Sequence, residues 1–171
     1  DFMANNGGII TEEDLAKYEA EEMQPVKGTY RGYDIIGMPP PSSGGVSVVE
    51  MLNILEGFDL KAMGHNSAQY LHVVTESMRR AYRERTLHLG DSDFIKVPDY
   101  LLDPGYAAQI AEDIDPESAS KSDELTDEFS NKGQDTTHFS IVDQDGNRVS
   151  ATLSINYPFG SGFVAGNTGV L

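Results

Sequence analysis

The chain has 171 residues, 39% of them apolar, which suits one water-facing domain with a fair core. A net charge of −16 and a pI near 4.4 speak against nucleic acid or an anionic membrane as partners. The absence of cysteine excludes disulfides, thiolate catalysis and cysteine-based metal sites.

In chain order, Thr11-Glu12-Glu13-Asp14 opens a helix as a capping box, and Pro25 closes that segment. Residues 25–38 alternate around Arg31-Gly32 and predict a hairpin, Val26–Tyr30 against Tyr33–Met38. Pro39 to Gly45 is a turn leading into a helix from Val46 to about Glu56, stopped by Gly57. Ser67 begins the longest helix, which Gly90 ends. Its stripe Leu71, Val74, Met78 and Ala81 is the expected core face. Arg79, Arg80, Arg83 and Arg85, with Glu76 and Glu84, are expected on a solvated, salt-bridged face. Residues 93–118 hold short mixed elements. The run from about 112 to 135 is rich in Asp, Glu, Ser and Lys with little to bury, and reads as an acidic mobile tail.

The segment 136–156 carries the strongest local signal. Gln144-Asp145-Gly146 reads as a three-residue hairpin loop, with glycine where a left-handed residue is needed. That loop pairs Asp143 with Asn147 and therefore Thr136 with Ser154. Alternation supports the same register. Phe139, Ile141, Val149, Ala151, Leu153 and Ile155 are apolar, while Thr136, His138, Ser140, Arg148, Ser150, Thr152, Ser154 and Asn156 are polar. Val142 is the exception. A four-residue loop would oppose Phe139 to Thr152 and mix the faces. A polar face of this kind is also what a solvated sheet presents.

Thr136-Thr137-His138-Phe139-Ser140-Ile141-Val142-Asp143, then Asp145-Gly146-Asn147 and Ser154-Ile155-Asn156, resemble the start of the small subunit of γ-glutamyltranspeptidases. These are N-terminal-nucleophile hydrolases made as one precursor. Gly7-Gly8-Ile9-Ile10-Thr11, Pro39-Pro40-Pro41-Ser42-Ser43-Gly44-Gly45, Glu76-Ser77-Met78-Arg79-Arg80-Ala81-Tyr82 and Asp91-Ser92-Asp93-Phe94 are similar to the family's large subunit, in matching order.

The resemblance implies an α+β fold, part of an αββα sandwich of helices layered on antiparallel sheet. Residues 1–135 would end the large-subunit region and 136–171 begin the small. It also implies self-cleavage between Asp135 and Thr136, with Thr136 as the nucleophile. Ser154 matches a supporting hydroxyl that is usually Thr in the family, so the hydroxyl is kept and the methyl lost. Asn156 matches the residue that holds the substrate's α-amino end. The implied activity is γ-glutamyl transfer from glutathione and related compounds to water, amino acids or peptides, without a cofactor. The remainder of the same precursor is the implied partner, and a periplasmic, secreted or extracellular-facing location is implied.

The family's carboxylate-clamping Arg, and an acidic residue, a Ser-Ser and a Gly-Gly pair that complete its pocket, match nothing in the 171 residues. The chain therefore reads as a fragment, inactive alone. Related acylases acting on β-lactam side chains, a poly-γ-glutamate enzyme, and a truncated non-catalytic module are the alternative readings.

Other motifs carry less. His65, His72, His88 and His138 lack metal-motif spacing, and Asp91-Ser92-Asp93 has no further ligands at calcium-loop spacing. No metal site is expected. Gly160-Ser161-Gly162-Phe163-Val164-Ala165-Gly166 misses the dinucleotide fingerprint and reads as a loop.

Overall fold

The computed structural model describes residues 2–121, 136–154 and 159–170, with side chains omitted for 136–138. Two compact units result, Asp1–Ala20 with Phe129–Leu171, and Glu21–Glu128. Helices and antiparallel two-stranded ribbons make the chain α+β, in agreement with the expected class. No helix among the described residues is long and apolar enough to cross a membrane.

The first unit holds two short exposed helices, α1 (Phe2–Asn5) and α2 (Glu12–Lys17). Thr11 and Asp14 form the reciprocal capping box at α2, and Glu13 pairs with Lys17 one turn on. The same unit carries the hairpin of residues 136–154.

In the second unit, β1 (Val26–Tyr30) pairs antiparallel with β2 (Tyr33–Gly37), and Val26 lies opposite Gly37. Arg31 and Gly32 at the turn have φ of 49° and 84°, as a two-residue turn of this hand requires. Arg31 offsets its strained backbone with a 2.8 Å bond from Nη2 to the Phe58 carbonyl. Helix α3 (Gly44–Glu56) starts two residues earlier than Val46 and is pressed against the end of β2. A Cβ on Gly45 would sit 2.2 Å from the Met38 carbonyl oxygen, so only glycine allows that approach.

Val46 and Val49 of α3, Val26 and Leu101 form one apolar cluster; Ile54, Ala107 and Ile114 form a second. Helix α4 (Leu60–Met63) is a single turn. Helix α5 (Ala68–His88) is capped by Ser67, whose Oγ accepts from the Tyr70 amide at 3.1 Å. A 3₁₀ turn (Asp99–Leu102) leads to α6 (Pro104–Glu112), with Asp103 as its N-cap and Pro104 at its first position.

The buried face of α5 differs from the expected one. Val73, Glu76, Ser77, Arg80, Ala81 and Glu84 are buried, while Leu71 and Met78 are 49% and 44% exposed. The helix is turned so that Ser77 and Ala81, both small, face inward, and Ser77 Oγ donates to the Met51 carbonyl at 3.1 Å. The charged residues can join this face because Arg80 Nη1 lies 2.6 Å from Glu76 Oε2, and Arg83 Nη1 lies 2.6 Å from Glu84 Oε1. A partnered charge can be buried where an isolated one cannot. Glu76, Arg80 and Glu84 are thus interior groups, not the solvated face expected of them.

Glu50 of α3 is fully buried, and neither of its carboxyl oxygens has a hydrogen-bond partner. Burial, and then the negative charge of Glu84, push its pKa up to about 8, so it is neutral at pH 7. The folded state therefore binds this proton more tightly than the unfolded chain, whose glutamate titrates near 4.5. Stability from Glu50 is complete below about pH 4.5 and is lost as pH rises towards about 8. Replacing Glu50 with Gln in the full-length protein should remove about 2–4 kcal/mol of that pH dependence, with some of the full shift lost to relaxation around the carboxylate. Melting temperatures of the two proteins across about pH 5 to about pH 9 test this; parallel curves would rule out a buried neutral Glu50.

Candidate active site

The hairpin is built from its turn outward. Strands β3 (Thr136–Val142) and β4 (Arg148–Ser154) are joined by a loop that Asp143 organises. Its carboxylate accepts from the amides of Asp145 at 3.0 Å and Asn147 at 2.9 Å, and from Asn147 Nδ2 at 2.8 Å. These bonds, led by the Asn147 side chain, hold the Asp143 carboxyl below its ordinary pKa. The Gly146 amide donates to the Asp143 carbonyl at 3.1 Å, with φ of 82° at Gly146. The Asp143 amide donates to the Asn147 carbonyl at 3.1 Å and closes the loop.

The register follows the expected one along its whole length. Thr136 pairs with Ser154, His138 with Thr152 and Ser140 with Ser150 on one face. Thr137 pairs with Leu153, Phe139 with Ala151 and Ile141 with Val149 on the other. The apolar face is only partly covered: Phe139 is 40% exposed and Leu153 57%.

Thr136 and Ser154 are therefore direct cross-strand partners at the open end of the ribbon. Residues so paired have Cβ atoms about 4.5–5.5 Å apart, within reach of a hydroxyl–hydroxyl hydrogen bond. An alcohol beside a base is the element of nucleophilic catalysis, and a base is supplied when the residue's own nitrogen is a free amine. Asp135 and Asn156, the other two expected site residues, lie outside the described residues.

The histidines with described side chains have structural partners. His65 stacks edge-on with Tyr70, His72 Nε2 donates to the Asp115 carbonyl at 2.8 Å, and His88 lies beside Tyr100 and Glu84. No group of three or more metal-binding side chains occurs among the described residues. Asp91 Oδ1 accepts from the Asp93 amide at 3.0 Å, a local turn. Residues 159–170 form turns with positive φ at Gly160, Gly162 and Gly166, and no helix, as a loop reading requires.

Sequence reasoning missed the polar interior. Glu50 of α3 and Glu84 of α5 are both buried and close enough to repel, and half-buried Tyr106 of α6 lies near enough to Glu84 to feel its charge. Its hydroxyl is pushed up to about 12, by burial first and by the Glu84 charge next. The available signal was the spacing of Val73, Ser77, Arg80, Ala81 and Glu84, which follows a helical stripe as well as the apolar one does.

The sequence profile of the gamma-glutamyltranspeptidase family matches residues 1–171. The chain is 47% identical over 172 residues to the glutathione hydrolase proenzyme of Escherichia coli, covering 99% of this chain and 30% of that protein. It is 42% identical over 173 residues to the acylase ACY 1 proenzyme of a Pseudomonas species, covering 100% of this chain and 30% of that one. The crystal structure of Helicobacter pylori gamma-glutamyltranspeptidase superposes with a TM-score of 0.70 and 45% identity, over 72% of this chain and 36% of that one. The chain thus spans about a third of the length of the proteins it matches.

The left-handed turn residue is directly testable. Gly146→Val places a branched side chain at positive φ and should cost about 1–2 kcal/mol, whereas Gly146→Asn should cost less. Urea unfolding of the full-length variants measures both; equal stability of the Val and Gly proteins would mean the turn does not hold the register.

Proposed function

The chain belongs to the γ-glutamyltranspeptidase family, and on that premise we propose that the longer protein containing it cleaves itself before Thr136 and then transfers γ-glutamyl groups from glutathione-like donors. The observation that carries this reading is the pairing of Thr136 with Ser154 at the open end of the hairpin. Residues 1–135 then end a large subunit and 136–171 begin a small one. A place of action outside the cytoplasm is part of the same proposal and rests on family resemblance alone.

The chemistry follows from what one hydroxyl can do. In the precursor, Oγ of Thr136 attacks the carbonyl of Asp135, and the peptide nitrogen leaves as the amine of Thr136. The resulting ester is hydrolysed by water, giving the Asp135 carboxylate and a free N-terminus. Before that cut the nitrogen is an amide and accepts no proton. Afterwards it is an amine with a pKa of about 7.7–8.0, suited to removing the proton from its own hydroxyl.

In turnover, Oγ attacks the γ-carbonyl of the donor and forms a γ-glutamyl ester, while the donor's amine departs with a proton. Water or an amino-acid amine then attacks the ester and regenerates Thr136. Ser154 donates a hydrogen bond to Oγ and fixes its direction, and Asn156 holds the substrate's α-amino end.

The 42% identity to an acylase proenzyme favours a second reading, the same nucleophile working on another acyl amide. Side-by-side turnover of γ-glutamyl and other acyl-amide substrates by the full-length protein separates the two.

Thr136→Ala in the full-length precursor should abolish both self-cleavage and transfer, since one hydroxyl serves both. An uncut band on a denaturing gel is the expected result, and normal processing into two subunits would remove Thr136 from the role.

Ser154→Ala should leave folding intact and lower turnover by about 10–100-fold, the range for a positioning or proton-handling group. Turnover and processing both equal to the parent protein would show that the cross-strand pairing has no part in the chemistry.

A further inference from the structure

Beyond the buried Ile114, the main chain after α6 is held by polar side chains on one face of α5. Arg80 Nη2 donates to the Asp113 carbonyl at 3.0 Å, and His72 Nε2 donates to the Asp115 carbonyl at 2.8 Å. Glu76 receives the Ser120 amide on Oε1 at 3.1 Å and the Ser120 hydroxyl on Oε2 at 2.6 Å. Arg80 reaches Ser120 Oγ as well, at 3.4 Å. His72, Glu76 and Arg80 stand four residues apart, so they line one face of the helix. Ile114 is buried at the near end, while residues 115–119 between the anchors are exposed.

Glu76 and Arg80 are 1% and 8% exposed, and a charge pair at that depth costs desolvation that their attraction alone need not repay. Ser120 completes the carboxylate: its amide is the hydrogen-bond donor to Oε1, which otherwise has Arg79 Nη1 at 3.6 Å, and its hydroxyl joins Arg80 on Oε2. Ile114 packs with Ile54 and Ala107, but the residues from Asp115 to Ser120 include no large apolar side chain, so this stretch is held by polar contacts.

We propose that His72, Glu76 and Arg80 form a retention clamp that holds residues 113–120 against the helical unit before and after self-cleavage, so that the chain end produced by the cut swings from Ser120 and not from the end of α6. The inference rests on the cleavage reading above. Asp135 lies fifteen residues beyond Ser120, at most about 50 Å of extended chain. A new carboxy terminus held at Ser120 stays within that radius after the cut.

The test uses full-length protein in three forms: the parent, His72→Ala/Ser120→Ala, and the uncut Thr136→Ala precursor. Hydrogen exchange is read at the amides of 113–120, and trimming of the large chain by an added protease is read by mass spectrometry. The parent, after its cut, and the uncut precursor should protect the Ser120 amide equally. The double variant should lose about 10–100-fold of that protection, with α5 amides unchanged, because it removes three side-chain bonds. Protease should stop beyond Ser120 in the parent and run back towards Ile114 in the double variant. Fast exchange at Ser120 in the parent after a normal cut, or equal protection in the double variant, would sink the clamp alone. A parent that is never cut would sink the cleavage reading and the retention role with it, while protection in the precursor would still report the contacts.

Discussion

A strand turns successive side chains to opposite faces, so the number of residues between β3 and β4 decides which groups can meet anywhere along the ribbon. The loop of Gln144, Asp145 and Gly146 settles that number, and Asp143 holds it with three hydrogen bonds from the residues it spans. One residue more would send Thr136 to face an apolar neighbour. The pairing of Thr136 with Ser154 at the far end therefore depends on Gly146, a glycine with positive φ in the loop at the other end of the ribbon. A chemical pairing is fixed here by backbone geometry, before any direct interaction between the hydroxyls is considered.

The helical unit is organised differently. Its apolar clusters are small, and much of the α3–α5–α6 interior is polar. Charges enter this interior in two ways. Glu76 and Arg80 enter as ions, each supplied with partners. Glu50 enters as an acid, because nothing compensates its charge and Glu84 repels it. The two solutions differ in how they respond to conditions. An ion pair with several donors holds its geometry over a broad pH range, whereas a buried acid ties stability to pH.

The ribbon of 136–154 exposes much of its apolar face, and a two-stranded ribbon alone in water is marginal. The chain spans 30% of the length of the curated relatives described above. In this segment the register of Thr136 against Ser154 and the anchoring of residues 113–120 can be argued from residues in hand.

The sequence by itself determined the elements whose signals are local. Alternation and a single turn glycine gave both hairpins, Arg31-Gly32 and Gln144-Asp145-Gly146, with the pairing of Thr136 and Ser154. Thr11 with Asp14, and Ser67, announced their helices because capping is settled within three residues. Motif order likewise identified the family. Only the tertiary structure decided which face of α5 is buried. A helix with apolar residues on one stripe and small and charged residues on another can turn either inward, and the choice rests on partners distant in sequence: Met51 for Ser77, Ser120 for Glu76, Asp113 for Arg80. No window of sequence contains those contacts, so the burial of Glu50, Glu76, Arg80 and Glu84, and the capture of residues 113–120, became visible only when the chain was folded.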